Sequence, residues 1–121
     1  MIRLTEITFS SARPIDGYGP NFFRVGGQVI EGAVIVTAGG VRSWGGLSDA
    51  AALLALADEV DVILVGTGRQ IAHLPKDLRL ALEAAGIGAE PMDSPAAART
   101  YNVLLAEGRR VAAALLPVPP E

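Results

Sequence analysis

From residue 33 onward, apolar runs of strand length alternate with stretches whose apolar residues recur at helical spacing. Ala33–Thr37 is a short β-branched run, closed by Ala38-Gly39-Gly40. Ser48 is placed to cap a helix over Asp49–Asp58, where Leu53, Leu54 and Leu56 join the alanines in one apolar face. Val60–Val65 is apolar except for Asp61 and is followed by Gly66, as in a strand buried on both faces of a covered sheet. Pro75 suits the first turn of a second helix over Lys76–Ala85, and Gly86 suits its left-handed exit. Ile87–Glu90 reads as a short strand. Ser94-Pro95 opens a third helix, with Ser94 as its cap and Gly108 at its end. Arg110–Leu116 is a last apolar strand, stopped by Pro117, Pro119 and Pro120. Strand, helix, strand, helix, strand, helix, strand at this pitch predicts parallel strands joined by right-handed crossovers.

The first third has a different grain. Ile2–Thr8 reads as a strand, and Ser10–Asn21, with Pro14, Gly17, Gly19 and Pro20, reads as a loop. Phe22–Val25 and Gln28–Ile30 flank Gly26-Gly27, and paired glycines supply the positive φ of a tight hairpin turn. Such a hairpin either extends the main sheet or folds over it. The expected fold is a three-layer α/β domain with a mixed sheet: parallel strands from β-α repeats plus an N-terminal antiparallel hairpin. With 121 residues and no internal repeat, a single domain over 1–121 is the expectation.

Composition narrows the chemistry. Half the residues are hydrophobic and 19% are charged, enough apolar content for a core and too much for a disordered chain. Without cysteine there is no disulfide, thiolate nucleophile or cysteine metal site. A net charge of −3 with Lys76 as the sole lysine argues against nucleic acid as a partner. Met1–Glu6 lacks the layout of a signal peptide. Val29–Ala38, Ala50–Ala57 and Val111–Val118 each fall short of the roughly 18 residues of a spanning helix. A cytoplasmic protein that does not span the membrane is expected.

Gly66-Thr67-Gly68 leaves the most buried strand and precedes a helix, the place where open α/β sheets bind ligands. Glycines there let backbone amides approach an anion. Position 71 is Ile where a dinucleotide fingerprint needs a third glycine, and no Gly-Lys-Ser/Thr follows. The segment is therefore either a tight turn with steric need for glycine, a pocket for a small anion, or a nucleotide site. His73, the sole histidine, has too few neighbouring acids for a metal site and reads as a loop residue. Asp93-Ser94-Pro95 and Arg99-Thr100-Tyr101-Asn102 form the most polar stretch of the second half. In one reading Arg99 reaches a carboxylate or phosphate, with Tyr101 and Asn102 as donors at a pocket mouth. In the other, Arg99 sits in a structural ion pair and Tyr101 lies on the sheet. Trp44, among glycines 39, 40, 45 and 46, either plugs the core edge or anchors a partner. Tyr18 and Phe22 lie nearby in sequence, and alternation sends Phe22 and Phe23 to opposite faces.

These segments carry a resemblance. Gly17-Tyr18-Gly19 with Phe22 and Val25, Gly32 before Val34-Ile35-Val36, and Trp44 mark the first half. Val65-Gly66-Thr67-Gly68, Pro75, Gly86-Ile87, Glu90, Met92-Asp93, Ala96-Ala97, Arg99 to Leu104 and Glu107-Gly108-Arg109 mark the second. Across nearly its whole length the chain resembles a small uncharacterised-domain family that includes mitochondrial complex I assembly factor 3 and the adipogenesis-associated Mth-domain protein. The resemblance implies a three-layer β/α/β domain with no established catalytic activity and no cofactor. It also implies protein partners among the assembly intermediates of a membrane-associated respiratory complex. Many members carry a cysteine before the Arg-Thr-Tyr-Asn run, where this chain has Ala98, so a thiol redox role is disfavoured. The mitochondrial members' targeting extension is not seen at the start of this chain, which reads as bacterial.

The leading expectation is thus a non-enzymatic interaction protein of the assembly-factor kind, with no catalytic residue and no metal. Tyr18, Phe22 and Trp44 would give its contact surface, and self-association stays open. The alternative is an enzyme or binding domain for a small anionic ligand, held in a pocket of Gly66, Thr67, Gly68, Asp93, Arg99, Tyr101 and Asn102.

Overall fold

Three runs buried at almost every position, Val34–Thr37, Val62–Gly66 and Val111–Leu115, form the middle of a five-stranded sheet. The computed structural model describes residues 14–120; the strand expected over Ile2–Thr8 lies outside them. In chain order the elements are β1 Ile15–Gly19, β2 Phe22–Val25, β3 Gln28–Glu31, β4 Val34–Thr37, β5 Gly40–Ser43, α1 Ala50–Leu54, β6 Val62–Gly66, α2 Lys76–Ala84, β7 Gly88–Met92, α3 Ser94–Ala106 and β8 Val111–Leu115. β1, β2 and β3 make a small antiparallel sheet, and the larger sheet runs β5-β4-β8-β6-β7. The mixed α/β architecture with its antiparallel hairpin is the one expected, and the hairpin forms a sheet of its own.

β6 is parallel to both β7 and β8, as the alternation requires. β4 departs from it and runs antiparallel to β8. The reason is a strand that the glycines concealed. Ala38-Gly39-Gly40, read as the end of a strand, reverses the chain: Ala38 and Gly39 are the turn of a hairpin from β4 into β5, and Gly40 pairs with Thr37. The Thr37 hydroxyl holds that turn, accepting from the Gly39 N–H at 3.1 Å. Since β5 reverses β4, it is β5 that runs with β6, and the first parallel crossover connects β5 to β6 through α1.

Two further boundaries shift. Ile15–Gly19, read as loop, is a strand paired with β2, with a bulge between Ile15 and Gly17. Its composition is poor for a strand; tertiary pairing supplies what propensity lacks. α1 is capped by Asp49 rather than Ser48, its carboxylate accepting from the Ala52 N–H at 3.3 Å, and it ends at Leu54.

Alternate residues of the large sheet face opposite layers. Ile35, Ile63, Val65, Ala112 and Ala114 meet Leu53, Leu56, Leu78, Leu82 and Trp44 on the side of α1 and α2. Val34, Val36, Leu64, Val111, Ala113 and Leu115 meet Ala97, Ala98 and Tyr101 of α3, together with Ile15, Phe23 and Val25 of the small sheet. Ala112, Ala113 and Ala114 are fully buried at the centre of β8, where small side chains leave room for layers on both faces. Each large aliphatic side chain buried there contributes about 1.5–3 kcal/mol.

Candidate functional site

The carboxyl end of β6 and the opening turn of α3 meet at one rim of the large sheet. The Ser94 N–H donates to the Gly68 carbonyl at 2.7 Å, and the Gly68 N–H donates back to the Ser94 hydroxyl at 2.9 Å. The same hydroxyl donates to the Leu116 carbonyl at 2.7 Å, so one buried side chain ties the β6 loop to the exit of β8. Gly66 is required by this closeness: a Cβ there would lie 2.7 Å from the Ser94 oxygen and 2.8 Å from Leu115. Gly68 has φ +98°, a conformation glycine adopts without strain. Asp93, not Ser94, caps α3, its carboxylate accepting from the Ala96 N–H at 2.9 Å. Ser94 is thereby freed for the bridge.

Thr67 is equally engaged. Its N–H donates to the Met92 carbonyl at 2.8 Å, and its hydroxyl lies 2.8 Å from the Gln70 carbonyl and 3.1 Å from that of Met92. The Ala72 N–H donates to that hydroxyl at 3.0 Å. The amides that would cradle an anion are therefore bonded within the protein, and the loop is a tight, internally satisfied turn.

Of the remaining polar residues, the fold brings none to that rim as an open donor. Arg99 is exposed, its side chain makes no ion pair or hydrogen bond among the described residues, and it lines neither of two clefts near the rim. Tyr101 is fully buried on the sheet, and its hydroxyl has no hydrogen-bond partner among the described residues. Burial pushes that phenol up to about 12. Asn102 clamps the start of β1: its carbonyl oxygen accepts from the Ile15 N–H at 2.8 Å and its amide donates to the Ile15 carbonyl at 2.9 Å. Residues 66–68 and 93–94 thus come together, while Arg99, Tyr101 and Asn102 point to three other environments along α3.

Trp44 is 5% exposed and packs with Leu53 and Ile63, so as a contact residue it is corrected: it plugs the core. Its indole N–H donates to the Asp49 carbonyl at 3.3 Å. Tyr18 is 49% exposed, whereas Phe22 is half-buried with its ring where a side chain at Gly19 would stand. Phe23, on the opposite face of β2, is buried.

Two clefts lie near this rim. One, of about 340 Å³, is lined by Tyr18, Gly19, Pro20, Arg69, Pro95 and the tail residues Val118, Pro119 and Pro120. The Asn21 N–H holds the Val118 carbonyl at 2.9 Å, and the Arg69 guanidinium donates to the Pro119 carbonyl. Sequence reasoning took these prolines only as a stop signal, and the nearness of the tail to Tyr18 has no local signature. The other, about 220 Å³, is lined by Ile71, Ala72, His73 and Pro91. Among the described residues no group of three His, Asp or Glu is placed to hold a metal ion, and no helix is long and apolar enough to cross a membrane.

Comparison with known proteins places these features in context. A family model described as protein of unknown function (DUF498/DUF598) matches residues 15–116. An uncharacterized protein of Rhodobacter capsulatus is 58% identical over 114 residues, covering 94% of this chain and 92% of the relative. The NADH dehydrogenase (ubiquinone) 1 alpha subcomplex assembly factor 3 of Danio rerio is 31% identical over 117 residues, covering 91% of this chain and 67% of the factor. Among solved structures, an outer membrane protein from Bartonella henselae superimposes with TM-score 0.81 at 37% identity, over 91% of this chain and 98% of that one. A Mth938-like domain from Bordetella pertussis superimposes with TM-score 0.77 at 30% identity, over 100% of this chain and 92% of that one.

Proposed function

The chain belongs to the DUF498/DUF598 family, and on that premise we propose that it is a non-catalytic assembly protein, acting in the cytoplasm on intermediates of a membrane-associated respiratory complex. One observation carries the reading: the 31% identity over 117 residues with a protein named as an assembly factor of NADH dehydrogenase. The geometry of the rim is in keeping with it. Gly68 and Ser94 satisfy each other and Thr67 is satisfied by Met92, Gln70 and Ala72, which suits a rigid scaffold better than a site that must release water and accept a small anion. Recognition would then fall to apolar surface. Tyr18 stands at the mouth of the cleft formed with Pro20, Pro95 and Pro119, and an exposed aromatic beside ordered prolines is a surface able to carry contact energy with little loss of side-chain freedom.

The test is genetic and biochemical. Deleting the gene in its own host should deplete assembled NADH dehydrogenase on native gels of solubilised membranes, with accumulation of subcomplexes. Wild-type chain should restore the complex; Tyr18→Ala, folded to the same melting temperature, should restore it poorly. Normal amounts of assembled complex in the deletion strain would overturn the proposal.

A further inference from the structure

The two edges of the small sheet are treated differently. At the β1 edge, both backbone groups of Ile15 are held by the Asn102 amide. At the β3 edge the backbone is open among the described residues. The two-residue turn at Gly26-Gly27 makes Val25 and Gln28 a hydrogen-bonded pair, and the Gly32 N–H donating to the Asn21 carbonyl at 2.9 Å shows the same alternation at the far end. Gln28 and Ile30 therefore turn their N–H and C=O groups to β2, and Val29 and Glu31 turn theirs outward.

The side chains along that edge form a charge pattern. Val29 is 53% exposed and lies opposite Arg24, and Glu31, two residues on, shares the same outer face. Arg24 and Glu31 are both exposed, and neither makes an ion pair among the described residues. On the inner face, Ile30 packs on the core but is only partly covered.

The geometry points to a second copy of this chain as the occupant, its β3 added antiparallel to the first across a twofold axis at Ile30. Val29 of each copy then stands opposite Glu31 of the other, and the outward backbone groups of both residues bond across the seam. This register sets the second copy's Glu31 across Val29 from Arg24, within reach of two long side chains. The same pair recurs on the other side of the axis, since a twofold contact is self-complementary. The partly covered Ile30 meets its own counterpart. Gly32, with φ +83°, has nothing among the described residues within 4 Å of the position a Cβ would take. The product is a six-stranded sheet shared by two molecules.

Sedimentation equilibrium of the full chain tests it. The expected result is a reversible monomer–dimer equilibrium, weakened by salt and by Glu31→Arg, the latter by about tenfold or more in Kd, as befits a like-charge contact across an interface. The swap Arg24→Glu with Glu31→Arg restores the opposite charges and should return Kd to near its original value. Val29→Pro, which removes an outward N–H and leaves the β2 ladder its donors, should abolish the dimer while the melting temperature reports that the monomer is folded. A chain that stays monomeric to about 1 mM, the weak end of specific association, overturns the inference and leaves the edge to residues 1–13 or another protein. A dimer indifferent to all these substitutions overturns it as well, by placing the contact elsewhere.

Discussion

Tyr101→Phe is a substitution whose sign separates two accounts of the core. The phenol ring is fully buried with Leu64, Ala113 and Phe23, and its hydroxyl has no hydrogen-bond partner among the described residues. A hydroxyl desolvated without a partner costs about 1–3 kcal/mol, so its removal should stabilise the fold, less a small loss for the space it filled. A net gain of about 1 kcal/mol corresponds to about 4 °C in Tm for a domain of this size. The pH profile gives a second, independent reading. Burial raises the folded-state pKa from 10.0 to about 12. The proton is therefore held more tightly in the folded state, and the stability tied to it is fully present below pH 10. It declines by about 1.4 kcal/mol per pH unit as pH rises from 10 towards 12, approaching a total of about 3 kcal/mol. Tyr101→Phe lacks this loss. In urea denaturation between pH 8 and 11.5 the variant should begin slightly more stable and its advantage should widen above pH 10. A variant that is less stable at neutral pH, or whose profile stays parallel to wild type, would refute the reasoning and mean that the hydroxyl has a partner, such as a buried water.

Other expectations follow from the rim and the clamp. Gly66→Ala forces a Cβ to within 2.8 Å of a backbone carbon of Ser94 and should cost about 2–4 kcal/mol by denaturant titration, since neither strand nor helix can yield. Ser94→Ala leaves the Gly68 N–H and the Leu116 carbonyl without partners and should cost about 1–3 kcal/mol, with faster amide exchange at Gly68. Asn102→Ala removes both bonds to Ile15; β1 amides should exchange faster while β6 and β8 keep their protection. Trp44 is buried, so its fluorescence should be blue-shifted and resistant to acrylamide, becoming quenchable on unfolding. Arg99→Ala should change stability by no more than about 0.5 kcal/mol, the range of an exposed side chain without partners.

Residues 62–66 and 111–115 declare themselves as central strands because a run buried on both faces admits little but apolar side chains, and that requirement is local. The helices over 76–84 and 94–106 are legible for the same kind of reason: proline at the entry and glycine beyond the exit act within a few residues, joined in the first by Leu78 and Leu82 at helical spacing. The tight hairpin at Gly26-Gly27 belongs with them. What misled was glycine at 39 and 40, because a turn that ends a strand and one that reverses it use the same residue.

The candidate pocket shows where local information stops. The sequence pattern groups Gly66, Thr67 and Gly68 with Asp93 and the residues from Arg99 to Asn102 at the end of a sheet, and the folded chain brings residues 66–68 to Asp93 and Ser94. Whether the amides there stand open or bonded depended on groups more than twenty residues away, the Met92 carbonyl for Thr67 and the Ser94 hydroxyl for Gly68. The directions of Arg99, Tyr101 and Asn102 depended on which face of α3 met the sheet, and Trp44 became a core residue because α1 lies over it. Helical and strand periods, turn glycines and proline stops act between near neighbours and are written into the order of residues. The saturation of a hydrogen bond and the burial of a side chain are properties of groups brought together from distant parts of the chain, and only the folded arrangement decides them.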